Sequence, residues 1–303
     1  KNITDKRIFV AVRMRPTLPR EQDDEDFVRN FDSESGEISL DTAGSGSRGK
    51  SFMLDALLTP ETTQVNVFRT VAQPLVDQVL QGYNATILAY GATGTGKTHT
   101  MIGERSQTGM HAGIVPRTLE YLLRKAAADP DHEYQFTVSF VELYGETLTD
   151  LLHPERSGLR IQQHSDPRRG VVVAGLSETR VRTVDDAMSL MATGEMFRAY
   201  HETDLNASSS RSHVIFAVNT MCKTKSPQES RDGNGGRNSP SSSSSSNNNN
   251  KDRFSRLYMV DLAGSERVKK SGATGPQLAE AQAINSSLAA LGNCIHALSK
   301  KKS

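Results

Sequence analysis

Eight consecutive residues carry the clearest chemical signal in this 303-residue chain. They fit the pattern G-x-x-x-x-G-K-[ST] of a phosphate-binding loop, and in order they are Gly91, Ala92, Thr93, Gly94, Thr95, Gly96, Lys97 and Thr98. Glycines leave the backbone free to curl around an anion with its N–H groups pointing inward. Lys97 can then reach the β- and γ-phosphates, and the Thr98 hydroxyl can ligate Mg²⁺. The motif predicts a site for a nucleoside triphosphate with Mg²⁺, whose terminal phosphate can be cleaved.

Asp261 is the candidate for the second acidic group that such a loop needs on the Mg²⁺ side. It ends the apolar run of residues 257–260, and the chain breaks soon after it at Gly264. A carboxylate at the end of a buried strand can hold a water on the metal. The N–H of Gly264 can meet the γ-phosphate closely because no side chain intervenes. Taken alone, Asp261 could be an ordinary strand end, and its pairing with the phosphate-binding loop favours the functional interpretation.

The elements that must position these residues can be predicted from the apolar pattern. The run 84–90 is of strand type, and the loop should open a helix whose N-terminal dipole favours phosphate. A helix near 63–80 should place Val67, Val71, Leu75 and Val79 on one face. Further helices are predicted at 115–128, at 183–203 with Thr183 as N-cap, and at 277–298. Further strands are predicted at 7–13, 134–144, 214–218 and 257–260.

Residues 223–252 differ in composition from the rest, with a run of six serines at 241–246 and four asparagines at 247–250. Such a segment can bury almost no apolar surface, so the sequence predicts a disordered loop insertion between two strands rather than a domain boundary. Long surface insertions cost little stability because closure entropy grows only logarithmically with length.

Composition narrows the function classes. The net charge is +1, so no global field attracts a polyanion, and any basic surface must be local. No apolar stretch reaches membrane-spanning length. Cys222 and Cys294 do not make a disulfide scaffold and are expected to be reduced thiols.

Several segments resemble the kinesin motor family and follow its motif order along the chain. Residues 261–267 (DLAGSER) resemble its switch II signature, and residues 206–213 (NASSSRSH) fit its switch I pattern. Further matches are residues 12–16 (VRMRP), 82–91 (GYNATILAYG), 138–144 (VSFVELY), 175–176 (GL) and 284–292 (INSSLAALG). The resemblance covers the chain from about residue 7 to its end.

The resemblance implies a single domain over residues 1–303 with an α/β fold of the P-loop NTPase type. This fold has three layers, with a mostly parallel central sheet and helices on both faces. The family continues with further elements, including a last core strand between the first strand and the strand before the phosphate-binding loop. Without that strand, sheet edges and apolar surface would be exposed. The 303 residues alone are therefore expected to be poorly stable and unable to produce directed movement.

The resemblance also implies the roles of individual residues in MgATP hydrolysis. Glu266 should orient and deprotonate the attacking water, and Arg211 should form an ion pair with Glu266 when both switches close. The implied catalytic set is Glu266, Arg211, Ser209, Ser212 and Gly264, and the implied metal-side set is Thr98, Ser209 and, through water, Asp261. Adenine and ribose are expected at Arg13, Arg15, Pro16 and His99.

The implied partner is the acidic surface of the microtubule, in the cytoplasm and on the cytoskeleton. Short basic clusters and one helix are the candidate contacts: Arg168, Arg169, Arg267, Lys269, Lys270 and the 277–298 helix. Oligomerisation is expected through a stalk outside this sequence. No nucleic-acid partner and no membrane span are expected.

The chain departs from the family pattern at three positions. Ala92 stands where the family usually has Gln, Gly145 where it has Asn, and Ser286 where it has Lys. The first position varies in the motif, so nucleotide binding should survive, whereas the last change removes a positive charge near the expected track surface.

Two other functions are considered for the chain. A non-motile microtubule-binding module without hydrolysis is disfavoured because Lys97, Asp261 and Glu266 are all intact. A P-loop NTPase acting on nucleic acid is disfavoured by the near-neutral charge and the lack of an aromatic-basic patch.

Overall fold

A computed structural model describes residues 8–22, 28–41, 49–104, 109–204, 211–225, 252–266 and 276–300. The side chains of Arg168 and of residues 201–204 and 276–281 lie outside that description. The strands are β1 (Ala11–Arg13), β2 (Val28–Asp32), β3 (Glu37–Leu40), β4 (Lys50–Met53), β5 (Ala56–Leu58), β6 (Ala85–Ala89), β7 (His132–Tyr144), β8 (Thr147–Asp150), β9 (Arg160–Gln163), β10 (Val171–Ala174), β11 (Thr179–Val181), β12 (Ser212–Thr224) and β13 (Arg253–Asp261).

The helices alternate with these strands. They are α1 (Gln64–Val67), α2 (Gln73–Leu80), α3 (Lys97–Met101), α4 (Ile114–Ala128), α5 (Val184–Asp204) and α6 (Pro276–Lys300). A π-helical segment, Phe68–Ala72, joins α1 to α2, and single 3₁₀ turns lie at Pro19–Glu21 and Pro167–Arg169. None of the helices in the described ranges is long and apolar enough to cross a membrane.

The central sheet has six strands in the order β11-β7-β12-β13-β6, with β8 also paired to β7. The α/β class is confirmed, but the expectation of a mostly parallel sheet is wrong and the sheet is mixed. Only β13 and β6 are parallel, whereas β11–β7, β7–β12, β7–β8 and β12–β13 are antiparallel. The physical reason is connectivity. Strands β7 and β8, for example, are joined only by residues 145 and 146, and strands joined by so short a turn return antiparallel.

The remaining strands form small separate sheets: β1–β5, β9–β10 and β2–β3–β4. The β1–β5 pair is parallel and is not hydrogen-bonded to β6. A cavity of about 340 Å³ is lined by residues of both β1 and β6. The further strand implied by the family resemblance would lie between β1 and β6, and it stays a prediction.

Side-chain alternation along β12 separates two faces of the central sheet. Val214, Phe216 and Val218 point into the main core, where Phe216 meets Phe140 edge to face at 5.2 Å. That core also contains the buried faces of α2, α4 and α5. His213, which directly precedes Val214, points to the opposite face and hydrogen-bonds to Ser287 of α6. Helices therefore lie on both faces, as predicted.

The helix predicted near 63–80 exists, but the prediction of its buried face was wrong at two of four positions. The fully buried residues are Val67, Ala72, Val76 and Val79, whereas Val71 and Leu75 are only partly buried. The π-helical segment Phe68–Ala72 is the cause. It inserts one extra residue into a turn, so that Ala72 and Val76 are buried in place of Val71 and Leu75, whereas Val79 is buried as predicted.

Other predicted boundaries agree to within a few residues. The exception is the strand predicted at 214–218, which extends over Ser212–Thr224 as β12. Thr183 caps α5, accepting a hydrogen bond from the backbone N–H of Asp186. Residues 226–251 of the predicted insertion lie outside the described residues. The strands that flank it are antiparallel neighbours up to the pair Cys222 and Arg253, as a hairpin connection requires.

Candidate nucleotide-binding and hydrolytic site

The phosphate-binding loop joins β6 to α3. Gly94 and Gly96 have φ angles of 78° and 92°, in the left-handed region that glycine adopts without strain. The Lys97 ammonium donates hydrogen bonds to the carbonyls of Gly91 and Ala92, both at 3.0 Å. Burial lowers the pKa of Lys97, while the charges of nearby carboxylates act in the opposite direction. The loop thus places a partly desolvated cation inside a turn of backbone.

Asp261 ends β13 beside this loop, since β13 and β6 run parallel and Asp261 faces Ala89 in register. The Thr98 hydroxyl donates to Oδ2 of Asp261 at 2.5 Å. Asp261 is buried, and burial raises its pKa against the opposing effects of Thr98, Arg198 and Lys97. The structure therefore brings together the two predicted metal-side groups, which are 163 residues apart.

These two residues fit a Mg²⁺ site. Oδ1 of Asp261 is buried and has no hydrogen-bond partner among the described residues. An orphaned anionic oxygen of this kind is costly unless a cation or a metal-bound water satisfies it. Mg²⁺ with a nucleotide needs only one or two protein oxygens, because phosphates and waters complete its shell. No group of three or more metal-binding His, Cys, Asp or Glu side chains occurs in the part of the chain that the structure describes.

The described part of the switch II segment, residues 261–266, hydrogen-bonds through its backbone to the end of β6 and the start of the phosphate-binding loop. Leu262 N–H donates to the carbonyl of Ala89 and Ser265 N–H to that of Gly91, both at 3.2 Å. The Glu266 carboxylate then accepts two hydrogen bonds from Thr93, from its N–H at 3.0 Å and its hydroxyl at 2.6 Å. The predicted catalytic carboxylate therefore sits directly on the loop.

Gly264 is the residue that permits this approach. A Cβ added at Gly264 would lie 2.4 Å from both carboxylate oxygens of Glu266 and from Oγ1 of Thr93. Real Cβ atoms do not come this close to such atoms, so any larger residue would displace Glu266 or Thr93. The prediction that Gly264 serves close approach is thus consistent with the geometry.

The pKa of Glu266 is the net result of opposing effects. Partial burial would raise it, but the two hydrogen bonds from Thr93 and the charge of Lys97 outweigh burial, and the pKa is lowered. The carboxylate is therefore ionised at neutral pH and is able to accept a hydrogen bond from water.

Switch I, residues 206–213, is described only at its end. Ser209 lies outside the described residues. Ser212 begins β12 and is buried, and its hydroxyl has no hydrogen-bond partner among the described residues. Arg211 precedes it, and its expected ion pair with Glu266 stays a prediction. An unsatisfied buried hydroxyl next to this region is compatible with the expected contact to a ligand.

The four residues predicted to hold adenine and ribose gather around the 340 Å³ cavity, beside the loop. Arg13 donates to Oε1 of Gln64 at 2.9 Å, and Gln64 in turn donates to the carbonyl of His99 at 2.7 Å. Arg15 makes a two-point contact with Glu21 at 2.6 and 2.7 Å, which lowers the pKa of Glu21 to about 2. Pro16 also lines the cavity.

Two residues near the site were missed by sequence reasoning. Gln64 links Arg13 to His99, as described above. Arg198 of α5 is buried, and its Nε lies 4.0 Å from Oε1 of Glu142. Burial raises the pKa of Asp261, and the charge of Arg198 opposes that rise. The only sequence signal for Arg198 is that no other Arg or Lys occurs between residues 184 and 204.

The candidate partner contacts are only partly described. Arg267, Lys269 and Lys270 lie outside the described residues, as does the side chain of Arg168. Arg169 contacts both carboxylate oxygens of Glu178, at 2.5 and 2.7 Å, and its guanidinium lies 5.6 Å from the centre of the Phe254 ring. Arg169 therefore holds the Pro167–Arg169 turn against the sheet.

The mixed sheet with helices on both faces, and the glycine-rich loop between β6 and α3, define a P-loop NTPase-type α/β domain. Comparison with known proteins narrows this class. The family model for the kinesin motor domain matches residues 13–303. The chain belongs to the kinesin motor-domain family.

Relatives from animals and a plant agree with this assignment. The chain is 35% identical over 299 residues to the human chromosome-associated kinesin KIF4A, covering 97% of this chain and 22% of that protein. It is 37% identical over 306 residues to mouse kinesin-like protein KIF11, covering 97% and 27%. It is also 37% identical over 302 residues to kinesin-like protein KIN-UA of Arabidopsis thaliana, covering 98% and 32%. The chain thus spans between a fifth and a third of these curated relatives.

A solved structure gives the same answer for the fold. The structure of a fast kinesin matches with a TM-score of 0.80 at 33% sequence identity, covering 98% of this chain and 76% of the other.

Proposed function

We propose that this domain hydrolyses MgATP and couples hydrolysis to microtubule binding and movement. The observation that carries the proposal is the contact between Thr98 and Asp261, which leaves a buried carboxylate oxygen free beside the phosphate-binding loop. Support also comes from family membership, and the fast kinesin structure was described in terms of ATPase mechanism and interactions with microtubules.

Each residue of the candidate site has a distinct task in this proposal. The backbone N–H groups of residues 91–98 and the Lys97 ammonium bind the phosphates and offset their charge. Thr98 and Asp261 would hold Mg²⁺, which would supply positive charge against the negative charge that develops on the phosphates. Gly264 offers its N–H to the γ-phosphate.

Glu266 is proposed to orient the attacking water and accept its proton, either directly or through a second water. Because the carboxylate is ionised, it can act as an acceptor from the start of the reaction. Arg211 would pair with Glu266 when switch I closes, and the hydroxyls of Ser209 and Ser212 would contact the metal or the phosphate. In phosphoryl transfer such positioning and charge stabilisation supply most of the catalysis.

The adenine and ribose are proposed to lie against Arg13, Arg15, Pro16 and His99. Flat guanidinium, imidazole and proline surfaces can stack on a base without reading its edges. Microtubule contact is proposed through the basic residues 168, 169, 267, 269 and 270 and through α6. Because Arg169 is paired with Glu178, we propose that it positions its turn while the other basic residues meet the acidic partner.

Steady-state ATP turnover, measured at low salt with increasing microtubules, tests the proposal. We expect turnover to rise and saturate with microtubules, and the stimulation to fall at high salt, because contacts between exposed charges are screened. Lys97→Ala should abolish turnover under all conditions. Duplex DNA should not stimulate it.

Two results would contradict the proposal in different ways. Turnover that is indifferent to microtubules but rises with DNA would favour a nucleic-acid NTPase. Nucleotide-insensitive microtubule binding without turnover would favour a non-motile module.

A further inference from the structure

His213 connects the hydrolytic site to a helix on the far side of the sheet. It is the last residue of switch I, lies on β12 and is buried between the sheet and α6. Its Nδ1 accepts the backbone N–H of Ala263 at 3.0 Å, and its Nε2 lies 2.8 Å from the hydroxyl oxygen of Ser287. One ring therefore bonds switch II at one end and α6 at the other.

The direction of each hydrogen bond follows from the donors available. A backbone N–H can only donate, so Nδ1 of His213 carries the lone pair. Burial lowers the pKa of His213, so the ring is neutral at pH 7 and its proton is on Nε2. Nε2–H then donates to Ser287, whose hydroxyl donates to the carbonyl of Ile284 at 2.7 Å. The chain of hydrogen bonds is complete, because each ring nitrogen of His213 has one partner and the Ser287 hydroxyl both accepts and donates.

The point of attachment on switch II matters. Ala263 directly precedes Gly264, whose N–H is proposed to meet the γ-phosphate. Glu266 lies two residues after Gly264. A shift of the backbone of residues 263–264 that carried the Gly264 N–H towards a phosphate would also move the Ala263 N–H relative to Nδ1 of His213. A buried ring nitrogen that loses its partner is costly, so such a movement is resisted or is passed on to Ser287.

We propose that His213 and Ser287 are positioning residues that link the phosphate-sensing backbone of switch II to the orientation of α6. The inference rests on the proposed function, because it supplies a physical path by which nucleotide state alters microtubule affinity. It assigns a task to Ser287, which touches neither nucleotide nor catalytic water. A path of this kind counts as coupling only when one site measurably biases the other.

The test compares two dissociation constants for microtubules, one measured with MgADP and one with a non-hydrolysable ATP analogue and Mg²⁺. The ratio is the MgADP constant divided by the constant with the ATP analogue. Both are measured by co-sedimentation with the full 303-residue chain. In the wild-type chain we expect a ratio well above one. Ser287→Ala should reduce the ratio by about fivefold, the equilibrium worth of one hydrogen bond. A purely structural role would shift both constants together and leave the ratio unchanged.

Two matched variants complete the design. Ser287→Thr keeps the hydroxyl and should restore most of the ratio. Thr193→Ala removes a similar hydroxyl-to-carbonyl bond within α5, to Ser189, in a helix with no proposed microtubule contact, and should leave the ratio at the wild-type value.

The outcomes separate the two proposals. If the wild-type ratio exceeds one and Ser287→Ala retains it, the link through His213 is overturned while the proposed function stands. If the wild-type ratio equals one, microtubule affinity does not depend on nucleotide, and both proposals fail.

Discussion

Asp261 combines two requirements that conflict in the folded chain. Its position at the end of β13 removes it from water, which disfavours the carboxylate, yet a metal-side role needs the charge. The Thr98 hydrogen bond and the charges of Arg198 and Lys97 offset burial only in part. Function at this residue is therefore expected to cost stability.

This conflict predicts a pH-dependent effect of Asp261→Asn. In the folded chain the pKa of Asp261 is above its usual 3.8, so ionisation costs folding free energy. The cost is absent below about pH 3.8 and grows as pH rises through the raised folded pKa. The variant without nucleotide should therefore have a higher Tm than wild type at pH 7, with the difference shrinking towards pH 4. It should lose the added stability that a Mg²⁺–ATP analogue gives wild type.

The control for this experiment is Asp131→Asn, the same change at an exposed turn. It should leave Tm within experimental scatter at every pH and keep the response to nucleotide. A variant at position 261 that is less stable than wild type by the same amount at pH 4 and pH 7 would refute the argument.

Sequence reasoning at the residue scale succeeded where spacing is local. The phosphate-binding loop is one contiguous motif, and Asp261 is marked by the apolar run before it. Gln64, Arg198 and His213 could not be selected as site residues in this way. Their tasks depend on partners 35 or more residues away, such as His99, Asp261 and Ser287, which no local pattern reveals.

Helix termini are the element-scale features that the sequence predicted best. Thr183 at the start of α5 accepts from the N–H of Asp186 at 3.1 Å, while Oδ2 of Asp186 accepts from the N–H groups of Arg182 and Thr183. Such reciprocal capping satisfies N–H groups that a helix end leaves unpaired, and it is encoded within four residues.

Replacing the cap predicts a stability loss confined to that end of α5. Thr183→Ala should lower the free energy of unfolding by about 1 kcal/mol, measured by urea denaturation. The matched variant is Thr193→Ala in the same helix, where the hydroxyl bonds back to the carbonyl of Ser189. That change should be within about 0.5 kcal/mol of neutral, because such back-bonding does not stabilise helices. Equal losses for both variants would contradict the capping role.

Element-scale predictions went wrong where tertiary context overrides periodicity. Because of the π-helical segment Phe68–Ala72, Ala72 and Val76 are fully buried in place of Val71 and Leu75. A regular 3.6-residue period does not predict this change. Strand direction was missed for a related reason. The sequence shows where strands lie, but β7, β12 and β13 pair through contacts that depend on the route of their connections.

At the scale of the molecule, the fold connects sites that are far apart in sequence. β13 and β6 run side by side and deliver Asp261 to the loop, while β12 carries His213 through the sheet towards α6. With a net charge of +1, the chain has no general attraction for polyanions, so any partner contact must be made by local basic groups. The family and fold class were predictable from motif order, and the separation of β1 from β6 lies where the family resemblance implies a further strand.

The most direct test of the account is steady-state ATP turnover of Glu266→Ala against wild type, with and without microtubules. Loss of a positioned proton acceptor should reduce turnover by roughly 10² or more at every microtubule concentration, while binding of a Mg²⁺–ATP analogue is retained. Glu146→Ala, on the exposed turn between β7 and β8, should behave as wild type. Wild-type turnover that rises with microtubules and is lost at position 266 is the predicted result. Undiminished turnover in Glu266→Ala would contradict the assignment of this carboxylate to the chemistry.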